Sequence, residues 1–197
     1  MRTLVRVLAG PLALAACAAC GDFLSVGNSN DPDRRDLLAD PAELETRTAE
    51  AFRSLYAATV GSTFGLGAQS KVMAGENDPY CPTVLYYRGA IPRMPIDNSR
   101  GNRFLSANQA DWSALSRTAR GAADALHATA QWRVSSGSVA RDARLRAFAW
   151  FTLGAAHGNL ALFYDSVGVV DPSAELYAFP PLLGYREAMA VALANLD

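Results

Sequence analysis

Four stretches of the chain repeat apolar residues at helical spacing. Between residues 41 and 58, Leu44, Thr48, Ala51, Phe52, Leu55 and Tyr56 recur every three or four positions and mark one packing face. Asp40 is placed to cap this helix, Pro41 suits its first position, and Glu43 adds negative charge to its first turn. A second pattern over 108–132 aligns Trp112, Leu115, Ala119, Ala122, Leu126 and Thr129. Gly121 costs this helix about 1 kcal/mol relative to alanine, and with Ala122 and Ala123 it opens the way for a close neighbour. The segment "SSGS" then breaks the chain.

The third pattern, over 139–163, is apolar almost all round. Such a helix is expected at the centre of a domain, covered on several sides. Phe148, Trp150, Phe151 and Leu153 cover most of its circumference, and Phe148 and Phe151 are expected in the core. A fourth helix is predicted over 182–196, after Pro180 and Pro181, with Tyr185, Ala188, Met189, Ala192 and Leu196 as its stripe. The fold class predicted is all-α, built from antiparallel helix pairs. The stretch 60–105 differs: "GSTFGLG", "GENDPY", "CPTVLYYRG" and "IPRMP" punctuate it with turns and rule out long helices. Short helical or extended pieces are expected there, and "TVLYY" at 83–87 is the one run with strand character.

The beginning of the chain follows another logic. Arg2 and Arg6 lead into an apolar run over 7–16 that ends in "LAAC" at Cys17, and "CGDFLSV" starts at Cys20. A basic start and an apolar stretch well short of the roughly 20 residues a membrane span needs read as an export signal. "LAAC" also resembles a bacterial lipobox, in which the cysteine is lipidated and becomes the new N-terminus. Residues 1–19 are read as a lipoprotein signal with cleavage before Cys17 or Cys20, 20–39 as a polar tether and the start of the packed region, and 40–197 as the helical domain. Plain cleavage after the alanines, giving a soluble exported chain, and an uncleaved N-terminal helix are the alternatives.

Composition narrows the function. The chain has 197 residues, half of them hydrophobic, and a formal net charge of -1. That suits a packed core and gives no clustered positive surface for nucleic acid. Lys71 is the only lysine. Cys81 would stand alone once the early cysteines are removed or modified, so no internal disulfide is expected. No phosphate loop, "HExxH" or "GxSxG" occurs. The two histidines, His127 and His157, fall on separate predicted helices without ligands at metal spacing, and His157-Gly158-Asn159 reads as the end of a helical segment. "NDPD" and "GEND" lack the spacing of a calcium loop. No catalytic residue, metal or cofactor is expected, and no enzymatic activity.

The lipobox, the "DFL" element at Asp22, Phe23 and Leu24, the helix "LETRTAEAFRSLY" and the segment "RLRAFAWFTLGAAHGNLALFYD" occur in this order. Together they resemble the SusD/RagB family of outer-membrane nutrient-binding lipoproteins. The pattern L-R-A-x-x-Y-F-x-L is met by Leu145, Arg146, Ala147, Phe148, Trp150, Phe151 and Leu153, with Trp150 in place of tyrosine. Gly158 follows, and Ala161 stands where the family often has proline. Tyr185, Ala188, Ala192 and Leu196 match the next helix. The resemblance implies a tetratricopeptide-like helical scaffold and a lipid anchor in the cell outer membrane. It implies capture of oligosaccharide or another nutrient for a TonB-dependent outer-membrane transporter. It covers the N-terminal part of such a protein, so residues 40–197 are expected to be an incomplete domain, with exposed stripes and weak nutrient binding by themselves. From their chemistry, Tyr80, Tyr86 and Tyr87 are candidate ligand platforms; the bland reading is that they pin the crossover onto the helices.

Overall fold

The computed structural model describes residues 34–61, 65–76, 99–102, 105–176 and 178–197, the side chains of 107 and 108 aside. Leu37–Asp197 form one packed unit, to which the following description applies. Its described residues are mainly helical. A short helix α1 (Arg34–Ala39) leads into α2 (Pro41–Tyr56), followed by a π-helical turn at Ala57–Gly61. Then come α3 (Leu66–Met73), α4 (Leu105–Gln131), α5 (Val139–Phe163), the strands β1 (Ser166–Gly168) and β2 (Leu182–Gly184), and α6 (Tyr185–Ala194).

The start of α2 is built as its sequence requires. Asp40 is extended and its Oδ1 accepts from the Ala42 N–H at 2.8 Å, with Pro41 just inside the helix. Leu44, Thr48, Ala51 and Leu55 are buried, whereas Tyr56 points outward. The regular helix stops at Tyr56, short of the expected 58, where the backbone widens into the π turn and the Thr59 hydroxyl donates to the Leu55 carbonyl at 2.8 Å.

Helices α4 and α5 form the central pair. They are joined by the turn 132–138 at one end, and at the other Trp112 meets Tyr164 edge-on with ring centroids 4.9 Å apart, so they run antiparallel. At the exit of α4, Arg133 takes a left-handed conformation (φ 54°) and the Val134 N–H reaches back to the Ala128 carbonyl at 3.1 Å. Left-handed residues commonly close helix C-termini in this way. The seam of α4 is small: Ala119, Ala122 and Ala128 are fully buried around Leu115. At Gly121, a Cβ would sit 3.4 Å from the Ala51 Cβ, so α2 crosses close above the glycine, as its sequence context predicts.

The limits of α5 match the pattern, but its core face does not. The fully buried positions are Ala149, Thr152, Leu153, Ala156, His157 and Leu160. Phe151 is 48% exposed, Trp150 38% exposed, and Phe148 only half-buried. The expectation that Phe148 and Phe151 are core residues is corrected in this way. Both flank Phe52 instead, with ring centroids 5.0 and 6.3 Å away. The reason is spacing. A helix covered by α4 on one side and α6 on another packs closely through small side chains, and large rings are pushed to the flanks. Gly154 shows how close α6 comes: a Cβ there would lie 2.8 Å from Leu196 Cγ and 3.0 Å from the Ala192 carbonyl oxygen.

The helix expected over 182–196 begins later, at Tyr185. Leu182–Gly184 pair antiparallel with Ser166–Gly168 in the register Ser166↔Gly184, Val167↔Leu183 and Gly168↔Leu182. This two-stranded ladder gathers the ends of a strap, residues 169–181, whose base is closed by the Val169 N–H donating to the Pro181 carbonyl at 3.1 Å. Val167, Val169 and Val170 are buried. The run "TVLYY" lies outside the described residues.

Candidate functional site

The first turns of α5 and the middle of α2 frame a shallow groove of about 290 Å³ lined by Glu45, Thr48, Ala49, Arg141, Arg144, Leu145 and Phe148. Its polar wall is a two-point ion pair, with Arg141 Nε 3.0 Å from Glu45 Oε1 and Nη2 2.7 Å from Oε2. The hydrogen bonds from Arg141 hold the Glu45 carboxyl below its ordinary pKa, helped by the nearby charges of Arg141 and Arg144. Both partners are substantially exposed, so the pair fixes direction more than it adds stability. Its floor, Leu145 and Phe148, is apolar. Such a groove can hold a small apolar surface beside a charged or hydroxylated one; among the described residues it contains no nucleophile paired with a base.

Next to it the turn 132–138 is organised by Asp142. Its carboxylate accepts from the Ser135 hydroxyl, from the Ser136 N–H at 2.9 Å and from the Ser136 hydroxyl at 2.7 Å. These bonds, the Ser135 hydroxyl first, hold its pKa down to about 2. Ser138 caps α5, its hydroxyl accepting from the Arg141 N–H. "SSGS" was legible as a break, but the carboxylate that ties it down, four residues into the helix, was not read from the sequence.

Two further features stand out. A second depression of about 390 Å³ is lined by Ala147, Trp150, Phe151, Ala194, Asn195, Leu196 and Asp197. Its rims carry the half-exposed Phe151 and Leu196, with Leu193 also exposed. Both histidines hold the strap. His157 is fully buried, and the Val170 N–H donates to its Nε2 at 3.2 Å. Burial lowers its pKa to about 4. It lies inside α5, which runs on to Phe163 and does not end at Gly158. His127 Nδ1 is 2.9 Å from the Pro172 carbonyl, and its ring meets Trp132 edge-on.

Cys17, Cys20, Tyr80, Tyr86, Tyr87 and Cys81 all lie outside the described residues. Among the described residues, no group of three His, Cys, Asp or Glu is placed to hold a metal ion, and no helix is long and apolar enough to cross a membrane. No family model, no curated protein and no solved structure matches the chain.

Proposed function

We propose that this chain is an outer-membrane lipoprotein that captures glycans or other nutrients and delivers them to a TonB-dependent transporter, changing no covalent bond. The observation that carries the reading is the place of α5. One of the segments that carry the resemblance to the SusD/RagB pattern forms the central helix of the unit, packed against α4 and α6. Within this proposal the antiparallel α4–α5 pair is a tetratricopeptide-like hairpin, and α6 opens the next one. Tyr80, Tyr86 and Tyr87 remain the proposed nutrient platforms, and the lipid sits on Cys17 or Cys20.

Co-isolation from detergent-solubilised outer membranes of the native cell tests the proposal. The chain is expected to come out with a large plugged barrel of the TonB-dependent type in near-stoichiometric amount. Recovery from the inner membrane, or recovery with other partners and no barrel, would overturn it. A second reading, an exported scaffold lipoprotein that binds protein, draws on the exposed apolar rim of Phe151, Leu193 and Leu196.

A further inference from the structure

Among the described residues, the strap 169–181 is held over the helices by three polar ties from the core elements. The His157 ring of α5 accepts from the Val170 N–H, His127 of α4 bonds the Pro172 carbonyl, and Arg120 Nη2 of α4 donates to the Ala178 carbonyl at 2.7 Å. The chain has two histidines, and both are spent on this one segment. They do opposite jobs. His127 faces a carbonyl, so its Nδ1 carries the proton and donates whether the ring is neutral or charged. His157 faces an N–H, so its Nε2 must be bare. A second proton at that nitrogen turns an acceptor into a donor aimed at another donor, inside a site with no solvent exposure.

We propose that His157 is a proton-operated latch: its neutral ring closes the strap 169–181 over α4 and α5, and its protonation releases the strap ahead of the helical core. Part of the strap closes on itself, while Val169 and Val170 are buried with the core. Its ends are gathered by the β1–β2 ladder, and its own turns are internal, with the Ser173 N–H and hydroxyl both bonded to Asp171 Oδ1 at 2.8 Å. The charged and titratable groups on the surrounding elements include Asp111, Arg117, Arg120, Asp124 and His127 of α4, Asp165 before β1, Asp171 and Glu175 of the strap, and Tyr185, Arg186 and Glu187 of α6. None of them offsets the effect of burial on His157. The sign follows. The ring's pKa is depressed from 6.5 to about 4 in the closed form. The closed strap is therefore fully favoured above pH 6.5 and loses ground as pH falls from there toward 4.

Hydrogen exchange of the whole chain as a function of pH tests the latch, with intrinsic exchange rates corrected for. Between pH 6.5 and 4, the protection of residues 169–176 is expected to fall at least tenfold more than that of 115–126 in α4. In His157→Gln, whose side-chain oxygen accepts from Val170 without titrating, that extra step is expected to vanish. Strap and α4 losing protection together at every pH, or an unchanged step in the glutamine variant, would overturn the proposal. Should that variant not fold, ring ¹⁵N shifts of the unaltered chain decide: Nε2 must be bare at neutral pH, and strap exchange must rise with its protonation. A protonated Nε2 at neutral pH, or strap exchange indifferent to the ring, refutes the latch.

Discussion

Leu153→Ala is expected to cost about 2–5 kcal/mol of stability and to lower the melting temperature by roughly 5–15 °C. Leu153 is completely buried in the middle of α5, between the small residues that let α4 and α6 approach. Truncation removes a fully buried side chain from the core cluster and leaves a cavity in its place. Phe151→Ala is the informative comparison. A larger side chain is removed, but nearly half of it already faces solvent, so the loss is expected to be clearly smaller than for Leu153. Thermal melts of both variants check the ranking. Equal losses would mean that the aromatic flank, and not the small-residue seam, holds α5 in place.

Gly154→Val is expected to cost about 3 kcal/mol, the upper part of the usual overpacking range, and to loosen α6 selectively. A Cβ at this position would approach the Ala192 carbonyl oxygen to 3.0 Å. Leu196, the other neighbour, can rotate aside because it is half-exposed. The backbone of α6 cannot, so the helix must lift. Gly158→Ala serves as the control: its new Cβ would sit an ordinary 3.7 Å from the Ala192 Cβ. There the gain in helix propensity, on the order of 1 kcal/mol, is free to raise stability. Melts and hydrogen exchange over 185–194 should separate the two glycines. A valine variant as stable as the parent would show that α6 is not seated on Gly154.

The long helices were legible because their information is local. Asp40, Pro41 and Glu43 specify a start within four residues, and the α5 pattern located Val139–Phe163 correctly. Gly121 was read correctly too, because a glycine among alanines in a helix has few uses except close approach. What failed depended on neighbours. Periodicity shows that Phe148 and Phe151 share a helix with an apolar face; it cannot show that the partner helices come too close for a ring. The strands at Ser166–Gly168 and Leu182–Gly184 are each three residues long and pair across a gap of thirteen, which leaves no alternation to detect. The roles of Asp142 and His157 rest on contacts that periodicity does not show. One gathers serines of the preceding turn, and the other accepts from Val170 beyond the end of its own helix. The candidate nutrient platforms and the lipidation cysteines rest on sequence chemistry and resemblance, since they fall outside the described residues.

Lipid attachment is the point on which the proposed function turns, and intact-mass analysis after labelling with palmitate in a bacterial host measures it directly. The expected product has lost the residues before Cys17 or before Cys20, carries the label on that cysteine at its new N-terminus, and is found in the outer membrane. Changing both Cys17 and Cys20 to serine should abolish the label and leave the chain unprocessed or soluble. A mature chain with no lipid mass, cleaved after the alanines and free in solution, would contradict the anchor and with it the assignment as a surface capture module.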